Sequence, residues 1–242
     1  MRKVCGRLNL VYWLYFHHNS SMTRPIILSI GEFYHIYNRG TEKRKIFLSK
    51  HDYERFIALL YLCNSTISVR IDMRRKSLDE TLDTDRDKNL VDIGSYCLMP
   101  NHFHILLKEK VENGISLFMQ KLTTAYTMYF NKKYERNGSL FQGTFKAEHV
   151  DKDSYLKYLF AYIHLNPVKL IEPEWKKVGI KNRTNTKKFL RNYPYSSYFE
   201  YTGIDRKWKT ILTPRAFPDY FDTTDGFQKM IDFWLEFSPE QS

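Results

Sequence analysis

The sequence predicts an α+β fold, a ferredoxin-like split β-α-β plait whose antiparallel sheet carries helices mainly on one face. The first observation behind this prediction is the order of the elements, which runs strand, helix, strand, strand, helix, strand and then a further helix. The second is that only the tight turn Met99-Pro100-Asn101 separates the two middle strands, which therefore pair as an antiparallel hairpin. Helices after the first and third strands complete the plait.

Residue spacing supports the first half of this order. Residues 33–38 are aromatic and β-branched and stop at Arg39-Gly40, which is typical of a strand that ends in a turn. Residues 52–63 carry apolar side chains at helical spacing, with Asp52 as a candidate helix cap. Residues 64–90 are polar and predict a long solvated connection or an insertion.

The second half of the order contains the hairpin, a long amphipathic helix, a short strand and two more helices. Gly114 precedes the long helix, and Pro167 prevents much continuation of the helix that begins at Asp153 or Ser154. The predicted ranges are 93–98 and 102–108 for the hairpin strands, 115–134 for the long helix, 145–150 for the short strand, and 153–165 and 228–237 for the last helices.

Composition indicates an ordinary globular protein. Of the 242 residues, 43% are apolar and 27% are charged, which excludes a disordered chain. No apolar run approaches the roughly 20 residues of a transmembrane helix, so no membrane partner is expected. The three cysteines are widely spaced and form no Cys-x-x-Cys pair. This argues against a zinc ribbon or a disulfide framework and predicts a reducing, cytoplasmic location.

We expect one domain with additions at both ends. A second methionine, Met22, follows a short aromatic stretch, so residues 1–21 are predicted to be an extension outside the domain. Residues 22–201 form the predicted domain, with residues 64–90 as its polar insertion. Residues 202–242 form a predicted C-terminal tail.

The charge predicts a polyanionic partner. Lys and Arg outnumber Asp and Glu by 38 to 27, and the excess lies in residues 1–50, with a net charge of +7, and in residues 166–216, with +8. Basic side chains together with 16% aromatic residues suit single-stranded nucleic acid, in which phosphates meet cations and bases stack on rings. For each basic side chain the alternative is a simple solvated surface. The candidate DNA contacts are Arg39, Lys43, Arg44, Lys176, Lys177, Lys181 and Arg183.

Two histidines at the start of a predicted strand are the candidate metal ligands. In Asn101-His102-Phe103-His104, strand alternation places His102 and His104 on one face, about 7 Å apart along the chain. Two imidazoles at this spacing can converge on a divalent cation, whereas the alternative is a pair of surface histidines. Two histidines do not fix a metal, so a third ligand has to come from elsewhere.

A later helix supplies a candidate nucleophile and a candidate third ligand. Tyr162 and Asn166 are four residues apart, so they share one helix face. A phenol beside a carboxamide oxygen fits a nucleophile beside a metal ligand, and the alternative is an amphipathic helix with a core tyrosine and a terminal asparagine. Tyr158 competes for the same face. His164 lies on a different face and is either structural or directed at DNA.

Five segments along the chain form a recognisable series. They are Tyr34-His35-Ile36-Tyr37-Asn38-Arg39-Gly40, Leu98-Met99-Pro100-Asn101-His102-Phe103-His104, Leu140-Phe141-Gln142-Gly143-Thr144-Phe145, Tyr162-Ile163-His164-Leu165-Asn166-Pro167-Val168 and Tyr195-Ser196-Ser197-Tyr198. In this order the chain resembles the single-tyrosine HUH transposases of small insertion sequences, and especially the REP-associated tyrosine transposases. The resemblance covers roughly residues 26–201.

The resemblance implies metal-dependent cleavage of single-stranded DNA followed by strand transfer. It implies that His102 and His104 bind Mg²⁺ or Mn²⁺ and that Asn166 occupies the position of a third ligand. It also implies that Tyr162 attacks the DNA and forms a covalent 5′-phosphotyrosine. Substrates of the family carry imperfect hairpins beside the cleavage site, and its members act as monomers or homodimers.

Two other functions stay open on the residues alone. One is a non-catalytic nucleic-acid-binding protein on the same fold. The other is an unrelated metal hydrolase that uses His102 and His104 with an acidic third ligand, for which Glu148 and Asp153 are the candidates. Such a hydrolase would leave no protein–DNA adduct.

Overall fold

A computed structural model describes residues 26–67, 76–221 and 223–236 of the chain. The predicted extension of residues 1–21 lies outside the described residues, as do the middle of the predicted insertion and the last residue of the predicted 228–237 helix. The division of the chain into domains stays a prediction. None of the helices in the described ranges is long and apolar enough to cross a lipid bilayer.

Four antiparallel strands form one sheet. They are β1 (Phe33–Arg39), β2 (Val91–Met99), β3 (His102–Glu109) and β4 (Lys146–His149). The strand order is β2-β3-β1-β4, and β1 pairs with β3 on one side and with β4 on the other. This is the order of a split β-α-β plait, so the predicted fold class is confirmed.

Helices connect and follow these strands. They are α1 (Lys50–Leu62), α2 (Leu78–Leu82), α3 (Gly114–Lys133), α4 (Asp153–Leu165), α5 (Trp175–Val178), α6 (Arg183–Leu190), α7 (Tyr198–Tyr201) and α8 (Thr224–Glu236). Short 3₁₀ turns lie at Thr41–Lys43, Asn166–Leu170, Lys207–Ile211 and Pro214–Ala216. The helices predicted from periodicity are all present. Residue spacing did not predict the short helices α2, α5, α6 and α7. Each has eight residues or fewer, which is too few to display a helical repeat.

The two faces of the sheet have different coverings. The plait helices α1 and α3 cover one face, where the core includes Ile36, Phe56 and Phe103, all fully buried. Helix α4 covers the opposite face and packs Leu159 and Ile163 into a second cluster. Because side chains alternate along a strand, the neighbours of Ile36 and Phe103 point toward α4. That second face is where the predicted site lies.

Helix α4 is held from its other side by the C-terminal part of the chain. Phe227 and Ile231 of α8 are fully buried in one cluster with Leu165 of α4. His164, also fully buried, is hydrogen-bonded through Nδ1 to the Phe160 carbonyl and through Nε2 to Ser197 Oγ, both at 2.7 Å. His164 is therefore structural, and the alternative that it faces DNA is wrong.

The first helix begins earlier than its predicted cap. Ser49 is the N-cap, and Asp52 lies at the third helical position, where its Oδ2 accepts hydrogen bonds from the Leu48 and Ser49 N–H groups at 2.7 and 2.8 Å. The buried Asp52 carboxylate also accepts from Tyr129 at 2.9 Å and from Lys133 at 2.7 Å. Burial alone would raise its pKa, but these hydrogen bonds outweigh it, so the pKa lies below the usual value.

Replacing Asp52 by asparagine should lower the free energy of unfolding by about 2 kcal/mol at neutral pH, because the carboxylate's hydrogen-bond donors lose a charged acceptor. The lowered pKa means that this stabilisation is present above about pH 4, the unfolded value, and is lost as pH falls through the folded value. Urea unfolding should therefore show a difference between wild type and Asp52→Asn that shrinks in acid. Glu54→Gln on the same helix is the control, and a difference independent of pH would contradict the prediction.

Candidate active site

The predicted histidine pair lies on the α4 side of the sheet. His102 begins β3, and His104 lies two residues further on, with their ring centres 5.1 Å apart. His104 is paired across the sheet with Tyr37 of β1 and with Cys97 of β2. The two imidazoles therefore share one face, as the strand alternation predicted.

Each imidazole is oriented by a neighbour that occupies its Nδ1 atom. His102 Nδ1 donates to Asn101 Oδ1 at 2.6 Å, and the Asn101 amide in turn donates to the Lys43 carbonyl at 3.2 Å. His104 Nδ1 is hydrogen-bonded to Nε2 of the buried His35 at 2.9 Å. When His104 Nδ1 is the donor in this bond, Nε2 of both rings keeps a lone pair that can bind a metal, and no described residue is hydrogen-bonded to it.

Burial keeps the two imidazoles in the neutral form. It lowers the pKa of His102 to about 4, and the charges of Lys169, Lys176 and Arg39 act in the same direction. Burial lowers the pKa of His104 well below its usual value too, with a further contribution from His35. Neutral imidazole is the form that ligates metals.

The Glu148 carboxylate lies on the far side of His35 from His104. Glu148 of β4 accepts a hydrogen bond from Tyr37 at 2.8 Å, and its Oε2 lies 3.3 Å from the Tyr155 hydroxyl and 3.6 Å from Nδ1 of His35. Glu148, His35 and His104 thus form a chain of polar contacts. Sequence reasoning missed the place of His35. Strand alternation indicates that His35 shares a face with Tyr37. The sequence alone, however, does not predict the pairing register of β1 and β3 that brings His35 to His104.

Tyr162 of α4 faces this histidine cluster. Its ring is edge-on to the rings of His104 and His35, with centres 5.6 and 5.8 Å away. Burial raises the pKa of Tyr162 to about 12, the charge of Glu148 adds to this, and Asn166 acts in the opposite direction. The competing Tyr158 packs between Tyr162 and Trp234, with ring centres 5.8 and 4.9 Å away.

Asn166 carries a buried polar atom that lacks a hydrogen-bond partner among the described residues, as does His35 through its Nδ1. The residue is fully buried at the end of α4, and its Nδ2 donates to the Tyr162 carbonyl at 2.8 Å. Its buried Oδ1 has no hydrogen-bond partner among the described residues. A buried acceptor without a partner costs about 1–3 kcal/mol, which a bound ligand would recover.

The donor set fits a divalent cation that accepts nitrogen and oxygen ligands, such as Mg²⁺ or Mn²⁺. Two imidazole nitrogens and an amide oxygen are a borderline-to-hard set. In the described part of the chain, no three His, Cys, Asp or Glu side chains are grouped so that they could hold a metal ion. Glu148 is engaged by tyrosines, and Asp153 accepts from Tyr220 at 2.6 Å. Both carboxylates are therefore engaged by tyrosine hydroxyls, whereas Asn166 Oδ1 has no such partner among the described residues.

The predicted DNA contacts separate into two groups. Lys176 lies at the site, with Nζ 3.9 Å from the Tyr162 ring centre, and Arg39 is the cross-strand partner of His102. The backbone carbonyl of Lys43 accepts a hydrogen bond from the Asn101 side chain. The other predicted contacts lie with different partners. Arg44 pairs with Glu42, Lys177 pairs with Glu174, the Lys181 N–H donates to Glu172, and Arg183 begins α6 on the exposed surface.

A protein family and a solved structure are similar to this chain. The family model described as "Transposase IS200 like" matches residues 33–166, a range that contains the histidine pair, Tyr162 and Asn166. Among solved structures, a REP-associated tyrosine transposase bound to a REP hairpin is similar, with 13% identity and a TM-score of 0.46 over 78% of this chain and 90% of that chain. No curated protein matches the chain significantly.

Proposed function

We propose, because the chain belongs to the IS200-like transposase family, that it cuts and rejoins single-stranded DNA through a covalent bond to Tyr162. The observation that supports this most directly is the approach of Tyr162 to His104, with ring centres 5.6 Å apart, inside the range that the family model matches. Family membership also disfavours the alternative of an unrelated metal hydrolase. A covalent intermediate would conserve the bond energy of the cut strand, which a hydrolase would lose to water.

The chemistry is an exchange of one phosphate ester for another. The phenolic oxygen of Tyr162 attacks the phosphorus, the bond from phosphorus to the 3′ oxygen breaks, and a 5′-phosphotyrosine forms. Tyr162 loses its hydroxyl proton, and the leaving 3′ oxygen gains one. Attack by a 3′-OH from another strand reverses the step, so joining needs no nucleoside triphosphate.

The residues around Tyr162 have distinct parts in this scheme. His102, His104 and Asn166 would hold the Mg²⁺ or Mn²⁺ ion, which when bound polarises the phosphate and lets the phenol ionise below its raised pKa. His35 acts through His104, because its hydrogen bond fixes the orientation of that ring. Asn101 does the same for His102.

DNA is the proposed partner, and a single strand beside a hairpin is the proposed form of the substrate. Of the predicted DNA contacts, Arg39 and Lys176 lie at the site and would meet phosphates there. More distant parts of the strand would meet the other predicted contacts, which are Lys43, Arg44, Lys177, Lys181 and Arg183. A monomer and a homodimer both remain compatible with this proposal.

The proposal is tested by incubating the full chain with labelled single-stranded hairpin oligonucleotides and Mg²⁺ or Mn²⁺. A denaturing gel should show a band that contains both protein and DNA, and a chelator should prevent it. Binding of the oligonucleotides without any adduct, under all metal conditions, would contradict the proposal and favour the non-catalytic alternative.

A further inference from the structure

We propose that Lys169 and Lys176 form a binding site for the scissile phosphate of the DNA, beside the ring of Tyr162. This inference rests on the proposed function, because it assigns the two lysines to the strand that Tyr162 would cut. Lys169 lies in the 3₁₀ turn Asn166–Leu170 directly after α4, and Lys176 lies in α5. The chain turns back between them and brings the two side chains together.

The two lysines and the nucleophile occupy one small region. Lys176 Nζ lies 3.9 Å from the Tyr162 ring centre, and the Lys169 and Lys176 side chains are within hydrogen-bonding reach of each other. The charges of both lysines act on His102 and on His104. A group bound between the ammonium groups would therefore lie beside the Tyr162 ring and near the proposed metal ligands.

The charges of Lys169 and Lys176 are not balanced by a carboxylate among the described residues. Neither Lys169 nor Lys176 forms an ion pair with a carboxylate in the described ranges, whereas Lys209, for example, lies 2.6 Å from Asp205. Two half-buried ammonium groups held together repel each other and lose hydration. Burial and the nearby Lys169 accordingly lower the pKa of Lys176 well below its usual value. A phosphate between the two groups would offset both costs.

A phosphodiester suits this place throughout the proposed reaction. The DNA linkage carries two non-bridging oxygens, and the linkage from Tyr162 to the cut strand is again a phosphodiester with two non-bridging oxygens. Hydrogen bonds from Lys169 and Lys176 could thus be kept from substrate to intermediate. The same contacts would hold the cut end until an incoming 3′-OH arrives.

The first test uses inorganic phosphate with the full chain and neither DNA nor metal. The thermal midpoint is measured in phosphate and in chloride at equal ionic strength. The increase from chloride to phosphate should be large in wild type and in the control Lys209→Met. It should be smaller in the double variant Lys169→Met/Lys176→Met. Because removal of two crowded charges relieves repulsion, we expect the double variant to fold. Lys176→Gln provides the same comparison if it does not. An equal effect of phosphate in wild type and variant would overturn the inference.

The second test distinguishes failure of this inference from failure of the proposed function. An oligonucleotide that forms the wild-type adduct is made with a neutral methylphosphonate at the cleaved linkage, and binding is measured in a Tyr162→Phe background with chelator. The oligonucleotide with the ordinary diester should bind about tenfold more tightly than the methylphosphonate. This factor corresponds to the free energy of one hydrogen bond to a charged group. The preference should vanish in Lys169→Met/Lys176→Met and persist in Lys209→Met.

The outcomes of the two tests are separable. A preference that the double variant retains would overturn the phosphate site and leave the adduct chemistry of Tyr162 intact. A lysine-dependent effect of inorganic phosphate in a protein that forms no adduct would support the phosphate site and remove the proposed function.

Discussion

Replacing Tyr162 by phenylalanine should abolish the covalent protein–DNA adduct, with a loss of at least about 10³-fold in the rate of its formation, because the nucleophilic oxygen is removed. The substitution keeps the ring and hence its edge-on contacts with His104 and His35. We therefore expect the thermal midpoint and the affinity for the uncut oligonucleotide to change little. The measurement is a single-turnover time course, resolved on a denaturing gel.

The matched control is Tyr158→Phe, one helical turn earlier. Tyr158 contacts Tyr162 and Trp234, so its ring contributes packing that phenylalanine preserves. Its variant should form the adduct at nearly the wild-type rate. If Tyr162→Phe still formed the adduct and Tyr158→Phe did not, the nucleophile would be Tyr158.

Replacing His104 by alanine should remove Mn²⁺ binding and, with it, metal-dependent cleavage. Calorimetry of Mn²⁺ binding measures the first effect without DNA, and the adduct assay measures the second. Alanine deletes one of the two imidazole ligands, and the remaining set of His102 and Asn166 cannot hold a divalent ion strongly. Unchanged Mn²⁺ affinity in His104→Ala would exclude the proposed ligand set.

A graded effect should appear at His35. His35→Ala keeps both proposed ligands but removes the hydrogen bond that orients His104, so Mn²⁺ affinity should fall by about 10- to 100-fold without vanishing. His51→Ala, an exposed residue of α1, is the control and should bind Mn²⁺ like wild type. Equal Mn²⁺ affinities in His35→Ala and His51→Ala would show that His35 has no positioning role.

Local sequence patterns predicted the parts of the site that depend on one element. Alternation along β3 placed His102 and His104 on one face, and helical spacing placed Tyr162 beside Asn166, as the structure has them. These relations are set by backbone geometry alone. The order of strands and helices likewise predicted the plait, because an antiparallel hairpin and two crossover helices leave few arrangements.

Relations between elements were not predictable in this way. The approach of His35 to His104 depends on the register between β1 and β3, and nothing within either strand specifies it. The approach of Lys176 to Tyr162 depends on a four-residue helix in a basic run that was indistinguishable from a solvated surface. Tertiary packing decided both.

The clamping of α4 between the sheet and α8 constrains how strands could be exchanged. Leu159 and Ile163 anchor the helix to the sheet, while Phe227 and Ile231 of α8 are buried against its far side. A helix packed on two sides would have to break one of these sets of contacts in order to move. If DNA becomes attached to Tyr162, its 5′ end would stay in place over the sheet, and the mobile reactant in the joining step would be the incoming 3′ end.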